Sequence, residues 1–129
     1  MFAILLAYFV ETTGILRDET ISGYADRDVI YALEEMFGEP VTWSAEIQFP
    51  EKGKVVGAGP CNRFFAKQGV PMPWVEIRQI AATKRACSDL AAEHQYFQAL
   101  QNMSLAEIAG PFLILSDDDG QELVFQAKP

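Results

Sequence analysis

The sequence predicts an α+β domain dominated by antiparallel strands, with one amphipathic helix laid against them. Three features predict it. Trp43, Ala45, Ile47 and Phe49 alternate with Ser44, Glu46 and Gln48 at the period of a strand. Asp119-Gly120 stands between the apolar runs Phe112–Leu115 and Glu122–Phe125, which is the chemistry of a tight hairpin. From about Asp89 to Gln101 the apolar residues recur instead at helical spacing.

Composition sets the bounds. The chain has 129 residues, of which 50% are hydrophobic, 12% aromatic and 22% charged. That suits one domain with its own core and excludes a disordered chain or a collagen-like repeat. Ten Lys and Arg against eighteen Asp and Glu leave a net charge of −8 and a pI near 4.5. The average field repels a nucleic acid or an anionic membrane face, so nucleic acid is not an expected partner. No apolar run approaches the roughly 18 residues of a membrane span. Neither an internal repeat nor a low-complexity tract interrupts the chain.

In chain order, Met1–Val10 is almost wholly apolar and lacks a preceding Lys or Arg. It reads either as a degraded export signal or as an added strand or helix, because the one tolerable cleavage site, after Gly23-Tyr24-Ala25, falls about fifteen residues late. No Cys lies close behind it to carry a lipid anchor. Residues 11–28 are polar and read as a linker or an extended lead-in, with the folded body expected from about Val29 to the end. Residues 29–37 are ambiguous. Helix propensity and the Val29/Leu33/Met36 spacing favour a helix, whereas Val29, Tyr31, Leu33 and Phe37 share one face of a strand. Gly38-Glu39-Pro40 ends the element either way.

The alternating segment Trp43–Phe49 then turns at Pro50–Gly53 and returns over Lys54–Gly59, giving a hairpin. Gly69, Pro71 and Pro73 predict a loop over 66–73, and Trp74–Ile80 a further strand. The helix is capped by Ser88 or Asp89, with Ala86, Leu90, Tyr96, Phe97, Leu100 and Met103 on one arc. Leu105–Ala109 adds a short strand before the closing hairpin.

Few residues suggest chemistry. Asp117-Asp118-Asp119-Gly120 lacks the alternating ligands of a calcium loop and reads as a solvated turn. His94 is the only histidine and sits at the rim of the apolar arc, so it reads as a partly exposed surface residue. Two Cys without a CxxC spacing do not support a zinc site, and no other metal or cofactor is implied. Glu93 falls near the centre of the apolar arc, where a carboxylate must be paired. Arg63, Arg78 or Arg85 is the expected partner, ahead of a catalytic-acid role or a rotated, wet side chain. Cys61 and Cys87 lie 26 positions apart, and three readings stand open: a disulfide, two buried thiols, or a reactive Cys87 near the helix start.

Gly59-Pro60-Cys61-Asn62-Arg63-Phe64, followed by Thr83-Lys84-Arg85-Ala86-Cys87 ahead of the helix, resembles the META domain family of HslJ-type heat-inducible envelope proteins. Phe97, Leu100 and the closing Glu122–Phe125 strand fit the same pattern, which covers roughly 29–126. The resemblance implies a compact antiparallel sheet, barrel-like, with one helix against it, and it converts residues 29–37 to a strand. It carries no catalytic residue. It implies architectural roles instead: Asn62 satisfying its own turn, Phe64 plugging the core, and Arg63 pairing an inward carboxylate such as Glu93. Thr83 and Arg85 belong to the motif. Ser88 stands where the family commonly has Pro, and the basic n-region and lipobox Cys of exported members are absent.

The leading expectation is therefore a monomeric, non-enzymatic envelope domain that binds a partner protein or small ligand and supports stress tolerance. A thiol enzyme or redox sensor using Cys87 or Cys61 is one alternative, and a purely structural accessory domain another. Trp74, beside Pro71 and Pro73, is the candidate exposed contact, with core packing the favoured reading for it.

Overall fold

Strands form wherever the apolar face has a neighbour to cover it, and among the described residues nine of them join one antiparallel sheet. The computed structural model describes residues 17–129; the apolar stretch Met1–Val10 lies outside them. The elements are β1 (Tyr31–Met36), β2 (Glu39–Pro40), β3 (Glu46–Gln48), β4 (Lys54–Ala58), β5 (Arg63–Lys67), β6 (Arg78–Ala82), helix α1 (Leu90–Asn102), β7 (Met103–Ala109), β8 (Phe112–Asp117) and β9 (Glu122–Ala127). The spatial order is β6-β5-β4-β3-β1-β9-β8-β7, with β2 on β1. The sheet curls until its ends approach. Just before β6, the Val75 N–H donates to the Ser104 carbonyl at 3.0 Å and Pro73 accepts from the Ala106 N–H at 2.8 Å, while Trp74 bridges Leu105. The result is a half-barrel whose concave face α1 fills, the α+β class expected.

The core lies between that face and the helix. Ile47, Phe64, Leu113, Leu115, Leu123 and Phe125 are fully buried from the sheet, Phe49 from just beyond β3, and Tyr96 and Leu100 from α1. Tyr96 stands at the centre, its ring within 6.1–6.4 Å of Trp43, Phe64 and Phe125. Burial, with a smaller push from the Glu46 charge, raises its hydroxyl well above the usual phenol range. That hydroxyl donates to the Glu46 carbonyl at 3.3 Å.

Residues 31–36 are a strand, as the resemblance implied and against their helix propensity, because β3 and β9 supply hydrogen-bond partners on both sides. Other expectations are corrected by tertiary context. A bulge between Leu33 and Glu35 breaks the alternation, so Phe37, at φ 56°, leaves the apolar face on which the strand reading placed it. The strand read over Trp74–Ile80 begins only at Arg78, and the loop read over 66–73 begins after Lys67. There the buried Gln68 donates to the Val70 carbonyl and accepts from the Glu76 N–H, tying the loop to itself. The segment read as a linker is packed over its described part: Thr20, Ile21, Ser22 and Ala25 are buried around a 3₁₀ turn. Asp89 occupies the helix N-cap without a side-chain capping bond, and Ala86 lies outside the helix and exposed.

Candidate functional site

The motif residues converge on one place, where the β4–β5 connection, the 83–87 segment and the first turns of α1 meet. Glu93 is its centre. Its side chain is 1% exposed, and it sits in the first helical turn, where the positive end of the helix dipole favours a carboxylate. The N–H groups of Cys61 and Asn62 donate to Glu93 Oε1 at 3.0 and 2.6 Å, and Asn62 Nδ2 donates to Oε2 at 2.6 Å. The partner expected for Glu93 was an arginine. The structure supplies backbone and amide N–H groups instead: the turn at 61–62 aims two main-chain donors at the carboxylate and the Asn62 side chain adds a third. Arg63 points outward and is exposed, Arg85 is exposed, and Arg78 pairs with Glu76 at 3.3 Å.

Asn62 is fully satisfied, though not by its own turn. Its Oδ1 accepts from the Thr83 hydroxyl at 2.9 Å and the Arg85 N–H at 2.6 Å, while Nδ2 donates to the Arg85 carbonyl at 3.0 Å as well as to Glu93. The Thr83 hydroxyl also accepts from the Arg63 N–H at 3.2 Å. One buried amide thus ties three chain segments together. Gly59 is required by the same packing: a Cβ there would lie 2.6 Å from Glu93 Oε1. Phe64 plugs the core as expected, edge-on to Phe97 at 5.3 Å and to Tyr96 at 6.2 Å.

A Cys61–Cys87 disulfide closes this clasp on its outer side, with Cα atoms 5.6 Å apart. Of the three readings the structure holds the bridge; neither sulfur is a free thiol.

Above the clasp lies a cleft of about 410 Å³. The segment Ala82–Ala86 forms one wall, and Leu90, His94 and Phe97 of α1 the other, with Asn62 and Glu93 at the floor. Asn62, Thr83, Arg85 and Glu93 are legible from the motif and the helix, the cleft is not, and His94 is exposed, as its place at the rim of the apolar arc implies. Lys84, Leu90 and Phe97 were missed as lining. Their only signal was adjacency to the motif, and the wall exists only once residues 83–85 are pinned opposite the helix.

Trp74 stands elsewhere. Core packing was favoured for it, but it is 56% exposed beside Leu105, which is 37% exposed, because the closing pairing of 73–75 with β7 turns Val75 inward and Trp74 outward. Among the described residues no group of three or more His, Cys, Asp or Glu is placed to hold a metal, and no helix is long and apolar enough to cross a membrane.

The META domain model matches residues 27–129. The chain belongs to the META domain family. The match spans the whole of the sheet and the clasp. No curated protein matches this chain. Among solved structures, a protein solved by NMR is 22% identical with a TM-score of 0.62, over 78% of this chain and 89% of its own. An NMR structure from Burkholderia xenovorans is 16% identical, with a TM-score of 0.61, over 91% and 87%. A DUF4847 family protein from Bacteroides vulgatus is 10% identical, with a TM-score of 0.62, over 89% and 96%. At these identities the likeness is one of fold.

Proposed function

We propose that this META domain is a non-catalytic binding domain of the bacterial cell envelope that takes a small ligand in the cleft above its clasp and serves stress tolerance. The observation that carries the reading is the cleft itself: a concavity of about 410 Å³, in the range of small-molecule sites, built directly over the hydrogen-bonded motif. Its non-catalytic part is supported by the state of the groups around it. Glu93 has both oxygens engaged, Asn62 is saturated, and both sulfurs are joined. Its envelope part rests on the bridge, because disulfides rarely persist in a reducing cytosol. The stress role comes from the family resemblance.

The compartment is tested by blocking free thiols in the native cells and weighing the denatured protein. A mass two hydrogens light and unlabelled supports the envelope; two labelled thiols on an uncleaved chain overturn it. The ligand part is tested by titrating ¹⁵N-labelled protein with a small-molecule fragment panel. Amide shifts gathered at residues 82–86 and 90–97 support the cleft; the absence of such a cluster overturns it.

A further inference from the structure

We infer that the ligand of this cleft is a free single-chain anion with an apolar body, such as a medium-chain monocarboxylate, whose head is held by Lys84 and Arg85. The inference deepens the binding role proposed above and rests on it.

Charge sign is the first argument. In a chain carrying eighteen acids against ten bases, the cleft reverses the balance. It is lined by Lys84 and Arg85, and its one acid, Glu93, is buried with its carboxylate turned into the clasp. Arg27, Lys54, Arg78 and Lys128 each have a carboxylate within 4.0 Å. Among the described residues Lys84 and Arg85 have none, and neither have Arg17, Lys52, Arg63 and Lys67; Lys84 and Arg85 are the pair adjacent in sequence. Two adjacent cations left unpaired in an acidic protein, at the lip of a concavity, form an anion-accepting site. The guanidinium fork of Arg85 suits the two oxygens of a carboxylate.

Positioning is the second. The Arg85 N–H and carbonyl are both bonded to the Asn62 amide, and the Thr83 hydroxyl bonds to its oxygen. The backbone that presents Lys84 and Arg85 is therefore fixed before a ligand arrives, which lowers the ordering cost of binding. The third argument is the remaining wall. Ala82, Ala86, Leu90 and Phe97 offer apolar surface, and Phe97 is braced against Phe64. A volume of about 410 Å³ admits one short chain and is at the small end of the roughly 300–1,000 Å³ range of ligand sites.

The test titrates the oxidised full chain with octanoate, octanol and octylammonium at fixed ionic strength, followed by calorimetry and amide shifts. Octanoate is expected to bind with shifts at residues 82–86 and 90–97, and octylammonium at least tenfold more weakly. Lys84→Ala/Arg85→Ala, both at exposed positions, is expected to weaken octanoate at least tenfold and leave octanol unchanged, while Lys84→Arg retains octanoate binding. Equal binding of octanol and octanoate overturns the anion assignment and leaves the binding role standing. If octanoate fails while neutral or cationic fragments shift the same amides, the ligand class alone is wrong; if nothing shifts them, the binding role falls too. Capture of the protein by phosphatidylglycerol vesicles, lost in the double variant and without octanoate binding, assigns the cations to a membrane surface and overturns a free ligand.

Discussion

Two carboxylates in this protein do the same job in opposite settings. Asp117, at the β8–β9 turn, accepts from the N–H groups of Asp119 and Gln121, each at 2.9 Å, in an exposed loop two and four residues away. Glu93 accepts from the N–H groups of Cys61 and Asn62, 32 and 31 residues away, with a side chain that is 1% exposed. The local pair forms because neighbours in sequence are neighbours in space. The distant one forms only when the sheet, the helix start and the 83–87 segment have all assembled. When a group is lost from the turn, water replaces it; when one is lost from the clasp, nothing does.

The largest effect is expected where that difference is sharpest. Glu93→Ala removes the acceptor of three N–H groups, two of them on the buried Asn62, and should lower unfolding free energy by about 4 kcal/mol, read by urea denaturation. A loss under about 1 kcal/mol would mean that water enters the clasp and that it resembles the Asp117 turn after all. Next, Cys61→Ser/Cys87→Ser releases a loop of 26 residues and should cost about 3 kcal/mol, with dithiothreitol treatment of the native chain matching it. Gly59→Ala comes third, at about 2 kcal/mol, since its Cβ must displace the Glu93 carboxylate or the turn beneath it. It should be near neutral in the Glu93→Ala background, which tests whether the two groups share one space.

Asp18 lies between the two extremes. It is a local carboxylate, but its oxygens accept from the Ser22 and Thr20 hydroxyls, the Thr20 N–H and Arg27. Partial burial raises its pKa, but these donors outweigh it, and the folded value lies below the ordinary 3.8. A depressed folded pKa adds stability that is present above the unfolded value and lost as pH falls through the folded one. Asp18→Asn should therefore cost about 1 kcal/mol at pH 7, with the difference from the parent chain closing in strongly acidic buffer. Smallest is Asp117→Ala, at under about 1 kcal/mol in thermal denaturation, because its bonds are exposed and close at hand.

The same distinction explains what could be read from the chain. The β8–β9 hairpin was legible because Asp-Gly and its flanking runs act within a few residues, and Gly120 indeed adopts φ 82°. The helix was legible from its spacing, and so was the inward aim of Glu93. What Glu93 touches was not. Side-chain charge suggested an arginine, whereas the donors are main-chain N–H groups, which every residue carries and no sequence pattern marks. Trp74 shows the same limit: its facing depends on how the sheet edges close on one another, and its own neighbours carry no record of that.

By itself the sequence determined the local elements and the motif: the helix, the two hairpins, the Cys-Asn-Arg-Phe block and the second cysteine at its distance. Periodicity and turn chemistry act over a few bonds and need no partner. The tertiary structure alone decided that Ile21 and Ala25 join the core, that Asn62 and Glu93 meet, and that Lys84 and Arg85 face Leu90 and Phe97 across a cleft. Each of these depends on groups brought together across long stretches of chain, where burial outweighs local preference.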